Sequence, residues 1–299
     1  MTGERKIMEK TKKKQKEFVI VLAVYLICYA FRVFEYFFLR TDRTWIGEAI
    51  IHKLIGIGIL FATVRLLQLT MREVGFVREK SLHNLLKGLA FGIGVFAIAY
   101  AVEILITVAQ GNFDSLQVYV STYAVDQNIG HKTEIIFFVI CIVGNIINVV
   151  MEEGIFRGFF QKILEQRYSF IAAAVITSGL FGFWHVVGPV RNYFDGDFGM
   201  EGLIANAMML VITSALVGFK FVLLTKMTSS LYMSMGDHFV NNTIVNILHV
   251  VSDTGIFEWY SNISVFTLGV MTVIIFAVCV CLDMFTLLDE VRTINKMID

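Results

Sequence analysis

Apolar residues run through this sequence in blocks long enough to cross a bilayer, separated by short polar links. A spanning helix needs about 20 mostly apolar residues at ~1.5 Å of rise each. Eight segments meet that length: 18–39, 46–69, 85–110, 134–158, 169–188, 202–225, 229–250 and 259–284. The links are short, the longest running from Gly111 to Thr133, and neither a repeat nor a soluble domain interrupts the pattern. The pattern predicts an all-α polytopic membrane protein, with about eight transmembrane helices in one integral-membrane domain, 1–299. Pro189, the single proline, follows the fifth segment, where a helix can end freely.

Composition supports that reading, since 57% of the residues are hydrophobic and 17% charged, against ~25% charged in soluble domains. Zero net charge hides an asymmetry: residues 1–16 hold Arg5, Lys6, Lys10, Lys12, Lys13, Lys14 and Lys16. A basic stretch before an apolar one is also the form of a signal peptide. Here the apolar run continues past Arg32 and Glu35 to Leu39 without a small-residue cleavage pattern, so it reads as a retained first helix. By the positive-inside rule, 1–16 is a basic cytoplasmic N-terminal segment. With eight spans, Arg72, Arg78, Lys80, Lys162, Arg167, Lys226, Arg292 and Lys296 fall on that same side. Both termini are then cytoplasmic, while Arg40, Arg43, Lys132 and Arg191 face the opposite side. The basic start without a targeting extension fits a bacterial plasma membrane, with the lipid bilayer as partner and no nucleic acid. Cys28, Cys141, Cys279 and Cys281 all lie in apolar segments and read as buried side chains, not as a disulfide framework.

Ionisable residues inside a bilayer cost several kcal/mol each and are functional candidates by default. In the first three spans, Arg32, Glu35, Glu48, His52, Lys53 and Glu103 read as structural, with Arg32 and Glu35 at a spacing where neighbours satisfy each other. His249, near the end of the seventh span, reads the same way. The fourth span differs. Asn145, Asn148 and Glu152 fall at i, i+3 and i+7, a polar stripe on one helix face. Glu153 is rotated about 100° from Glu152, and Arg157 follows Glu153 by four residues, the spacing for an ion pair. Glu153 is therefore assigned to Arg157, and Glu152 is left on the stripe without a partner in its own helix. His185 closes the fifth span, and His238 and Asn242 share one face of the seventh. If the chain turns at residues 168–169, Glu152 and His185 sit at the same depth.

A carboxylate, two histidines and an asparagine in one membrane cavity suit hydrolysis. A glutamate can take a proton from water, one histidine can orient that water, and a histidine–asparagine pair can donate hydrogen bonds to an oxyanion. No G-x-S-x-G nucleophile motif is present. Zinc held by Glu152, His185 and His238 is the alternative cofactor reading, although H-E-x-x-H is absent. A proton-coupled transporter would also place Glu and His at mid-membrane, but no inverted halves are visible.

Taken in order, Glu152-Glu153-x-x-x-Arg157, Phe181-x-x-x-His185 and His238-x-x-x-Asn242 resemble the three motifs of the CAAX protease and bacteriocin-processing (CPBP, Abi) intramembrane endopeptidases. The resemblance covers roughly Asn145 to Val250, making 134–250 the motif-bearing catalytic core. It implies a metal-free glutamate-type peptidase in which Glu152 activates water with His185, His238 and Asn242 form the oxyanion hole, and Glu153, Arg157, Phe181 and Asn148 support the site. The implied partner is a peptide or protein substrate, prenylated or a bacteriocin or signal peptide, cut near the cytoplasmic surface. A non-catalytic bacteriocin-immunity protein of the same fold is the alternative within the family.

Overall fold

The computed structural model describes residues 3–121 and 131–252. The predicted eighth span, 259–284, lies outside the described residues. Helices come in the order α1 (Gly3–Phe34), α2 (Ile51–Leu66), α3 (Ser81–Ala109), α4 (Ile135–Glu152), α5 (Gln161–Glu165), α6 (Phe170–Trp184), α7 (Val187–Asp195), α8 (Met200–Thr228) and α9 (Leu231–Ile247). Strands β1 (Phe113–Val118) and β2 (Leu248–Ser252) form an antiparallel ribbon. Five stretches among the described residues are long and apolar enough to cross a membrane: Lys16–Leu39, Arg78–Ala109, Ile135–Glu165, Phe170–Asp195 and Met200–Thr228. Large apolar side chains on them face outward, Leu105 being 68% and Ile135 81% exposed. An exterior that apolar is suited to lipid, and the protein is an all-α multi-pass membrane protein.

Element ends depart from the predicted spans for local reasons. The second span is shortened to the 16 residues of α2, preceded by a 3-10 turn at Thr41–Arg43 and non-helical chain up to Ile50. The fifth breaks at His185, before Pro189, and Pro189 sits instead in the first turn of α7, where no intrahelical N–H is required. The seventh stops at Ile247 because Leu248–Ser252 pairs with the long third link as β2, with Gln117 opposite His249 and Val118 opposite Leu248. The Tyr100 hydroxyl of α3 donates to the Leu248 carbonyl at 2.6 Å and ties that ribbon to the bundle. Helical period alone did not reveal the strands.

The fourth span continues without a break from α4 into a π-helical stretch, Glu153–Phe160, and then α5. Ser169 caps α6 by accepting from the Ala172 amide, so the turn falls at the predicted 168–169. A buried cluster of Tyr25, Leu60, Phe156, Phe159, Phe160, Phe181 and Trp184 joins α1, α2, α6 and the π-helical stretch. On the other side, α9 lies against α3 at very short range. A Cβ on Gly88 would fall 2.0 Å from the Met233 carbonyl oxygen, and one on Gly236 would fall 2.5 Å from the Leu85 carbonyl oxygen. Only glycine allows that backbone contact, as at small-residue crossings in membranes.

Ion pairs connect segments that charge bias had assigned to one side. Glu17 of α1 meets Arg167 of the α5–α6 turn at 3.3 Å, at one end of the bundle. At the other end, Arg40 and Arg43 both meet Asp195 of α7 at 2.9 Å. These contacts bring α1 at Glu17 to the α5–α6 turn, and the chain after α1 to the end of α7.

Candidate active site

The junction between α4 and the π-helical stretch places two buried carboxylates side by side, Glu152 at 3% and Glu153 at 0% exposure. A helical segment with the wider π turn commonly marks a functional site. Here it carries Glu153, Phe156 and Arg157 into the bundle interior, all buried.

The two acids have different partners. Glu153 Oε1 is 3.3 Å from Arg157 Nη1, as the four-residue spacing predicts. It also accepts from His238 Nδ1 at 2.9 Å, a contact across 85 residues of chain that spacing within a helix could not reveal. The Arg157 guanidinium lies 3.8 Å from the centre of the Phe181 ring and 5.1 Å from that of Phe221. Gly218 of α8 leaves room for it, since a Cβ there would come within 2.9 Å of Arg157 Nη2. Phe221 in turn stacks on the His238 ring at 4.5 Å between centroids. Glu153 and its surroundings therefore fix the His238 ring: because a carboxylate only accepts, Nδ1 carries the proton and Nε2 is turned the other way.

That way is toward Glu152, whose Oε2 lies 3.5 Å from His238 Nε2. Oε2 also accepts from Asn148 Nδ2 at 3.2 Å. The expectation that Glu152 lacks a partner in its own helix is thus corrected, since the asparagine stripe itself supplies one, four residues back. Oε1 accepts from the Trp184 indole Nε1–H at 2.9 Å and lies 3.7 Å from Arg32 Nη1. The depth estimate placed Glu152 level with His185; the side chain that reaches it is Trp184, one residue earlier. A buried indole N–H requires an acceptor, a signal present in the "FGFWHVVG" sequence but not read there.

His185 follows α6 directly, and its Nδ1 is 2.8 Å from the Phe181 carbonyl oxygen. A carbonyl only accepts, so Nδ1–H is the donor and Nε2 of the neutral ring keeps its lone pair. Phe181 packs edge-on against both histidine rings, at 4.9 Å from His185 and 6.1 Å from His238. His185 and Asn242 are only half-buried, whereas the carboxylates are sealed, so these two residues line the accessible side of the site. Asn242 shares the α9 face of His238, and its backbone carbonyl accepts from Asn246 Nδ2 at 2.7 Å. Among the described residues no three His, Cys, Asp or Glu side chains are grouped as a metal-ligand set.

The polar residues of the first spans also differ from expectation. Arg32 does not pair with Glu35. The Glu35 carboxylate is occupied by the Thr41 hydroxyl, by the Ile51 amide at 2.9 Å, and by the His52 amide and Nδ1 at 2.5 and 2.6 Å. Glu48 pairs with Lys53. Asp237, next to His238, has a cation of its own, Lys220 of α8 at 2.7 Å.

Residues 134–244 match the family model of Rce1-like proteins, type II CAAX prenyl endopeptidases. This region is Rce1-like. It contains all three motifs and bears out the resemblance to CAAX proteases drawn from Glu152–Arg157, Phe181–His185 and His238–Asn242. A comparison with curated proteins gave no match. The Rce1-like region supports a CAAX-protease-like endopeptidase within the membrane, acting on a peptide or protein. Arg32 lies outside that region, on α1, yet reaches its central carboxylate.

Proposed function

We propose that the protein is an intramembrane glutamate-type endopeptidase with Glu152 as general base. The observation that carries this reading is the Glu152 carboxylate, buried inside a membrane-spanning helix with Oε2 turned toward His238 Nε2 at 3.5 Å. Water entering beside half-buried His185 can donate one hydrogen bond to the His185 Nε2 lone pair and give its proton to Glu152. The resulting hydroxide attacks the scissile carbonyl, and the oxyanion is met by the Asn242 amide and by His238. Because His238 Nδ1–H is committed to Glu153, donation from Nε2 requires a proton on that nitrogen as well. The proton held by Glu152 passes to the leaving amine as the tetrahedral species collapses.

The substrate class we propose is a membrane-anchored peptide, prenylated or carrying an apolar segment of its own. We further propose that the end of the bundle bearing Glu17 and Arg167 is cytoplasmic. Glu152 is then roughly 20 Å of helix from Glu165 at that end, counted at ~1.5 Å per residue.

The test is a comparison of membrane peptidomes from cells with the wild-type protein and with Glu152→Gln, which keeps the shape but cannot act as a base. Cleavage products should disappear in the variant, while it still inserts and folds. Undiminished cleavage by Glu152→Gln would sink the general-base assignment, and identical peptidomes in cells with and without the protein would favour the immunity or transport readings. Cleavage that survives chelation and washing supports metal-free chemistry, whereas loss restored by zinc would favour a zinc site at Glu152, His185 and His238.

A further inference from the structure

The mechanism gives the buried guanidinium of Arg32 no task although it reaches Glu152, and its geometry is specific. Nη1 is 3.7 Å from Glu152 Oε1, Nη2 donates to the Tyr36 hydroxyl at 3.2 Å, and the group lies over the Trp184 ring at 4.6 Å. Trp184 donates to that same Oε1 at 2.9 Å. One carboxylate oxygen therefore collects a cation and an indole N–H, and the cation is stacked on the indole. The other oxygen, Oε2, accepts from Asn148 and faces His238.

The other charges facing Glu152 are His238 from α9, His185 after α6 and Lys53 from α2, with Glu153 and Arg157 on its own segment. Lys53 is taken by Glu48, Arg157 by Glu153, and His238 by Glu153 as well. Glu35, the acid on the adjoining turn, is taken by His52. Among the described residues, the ion pair of Arg32 is with Glu152 alone.

We propose that Arg32 and Trp184 are positioning residues that anchor Glu152 Oε1 and keep the carboxylate ionised, leaving Oε2 as the oxygen that receives the proton of the attacking water. The proposal rests on Glu152 being the general base. It assigns part of the active site to the first helix, outside the Rce1-like region. A carboxylate in a low-dielectric interior without a cation gains a proton instead of staying charged, and Arg32 counters that. The indole, with its face against the guanidinium and its N–H on the carboxylate, holds the two groups beside each other.

The experiment is infrared titration of the full-length protein in lipid nanodiscs. The protonated-carboxyl band of Glu152 is isolated as wild type minus Glu152→Gln, and the midpoint pH is followed in each variant. Arg32→Gln should raise the midpoint by about one unit or more, a tenfold change in the acid constant. Trp184→Phe, which deletes the N–H donor and leaves a smaller ring beside Arg32, should raise it by less. Arg32→Lys keeps a charge and should stay closer to wild type than Arg32→Gln. A merely structural role would lower stability in all three without moving the band. An unmoved midpoint in Arg32→Gln overturns the proposal. If that variant does not fold, an unmoved midpoint in Trp184→Phe does so. Failure of the general-base reading shows separately, as cleavage by Glu152→Gln, whatever the midpoints are.

Discussion

Glu153→Gln separates the two adjacent acids most sharply. Glu153 is fully buried, 3.3 Å from Arg157 Nη1 and 2.9 Å from His238 Nδ1. Two charges 3.3 Å apart attract by roughly 5 kcal/mol at an effective dielectric constant of about 20. The glutamine amide can still accept from His238, but it leaves the Arg157 guanidinium charged among the rings of Phe156, Phe181 and Phe221 without its nearest carboxylate. Removing one partner of a buried pair costs about 3–5 kcal/mol, because the survivor cannot return to water. Reversible unfolding in mixed detergent micelles should therefore show a loss near 3 kcal/mol, together with loss of activity. Arg157→Met should cost a similar amount, and the double variant should cost less than the sum, with a coupling of about 0.5–3 kcal/mol. A Glu153→Gln protein within about 0.5 kcal/mol of wild type, or strict additivity of the two changes, would refute the pairing as the purpose of Glu153. By contrast, Glu152→Gln should lose cleavage with a smaller loss of stability, since its one carbonyl oxygen can still accept from Asn148 or Trp184, and Arg32, 3.7 Å away, keeps the Tyr36 hydroxyl and the Trp184 ring.

Three further outcomes follow from other parts of the fold. Lys220→Met strands the buried Asp237 carboxylate, paired at 2.7 Å, and should cost about 3–5 kcal/mol, part of it regained in Lys220→Met/Asp237→Asn; unfolding titrations decide. Gly88→Ala places a Cβ 2.0 Å from the Met233 carbonyl oxygen, so α3 and α9 must separate, at a cost of about 1–3 kcal/mol; a Gly94→Ala control, where nothing lies within 4 Å, should be nearly neutral. On the α2–α3 link, the Thr70 amide and hydroxyl both donate to Glu73 Oε2 at 2.8 Å, and the Glu73 amide bonds back to the hydroxyl. These bonds, the backbone one first, hold the Glu73 carboxyl below its ordinary range. Its stabilising effect is thus present above the usual carboxylate pKa and lost as pH falls through the lowered one. Thr70→Val removes the hydroxyl, and carbon-detected NMR should find the Glu73 midpoint moved up toward the ordinary value.

The order of apolar blocks and the internal spacing of the motifs are local properties of the chain, and they were legible without coordinates. Spacing alone joined Glu153 to Arg157, because residues four apart on a helix must be neighbours. The ends of the fourth and fifth spans also set the turn at 168–169, where the structure has Ser169 as the cap of α6. What spacing could not give is any contact between helices, and there the reading was incomplete or wrong. Arg32 looked like the partner of Glu35 until packing placed Glu35 against His52 and turned Arg32 to Glu152. Glu153 looked like a purely structural acid until α9 brought His238 Nδ1 to it. The strand β2 looked like the end of a helix because its pairing partner lies more than a hundred residues earlier. The sequence by itself determined a multi-pass bundle and which polar residues are its candidates for chemistry, because those follow from hydrophobic length and helical period. Only the tertiary structure decided which oxygen of Glu152 is anchored and which faces His238, because that depends on donors from helices whose mutual distances no periodicity encodes.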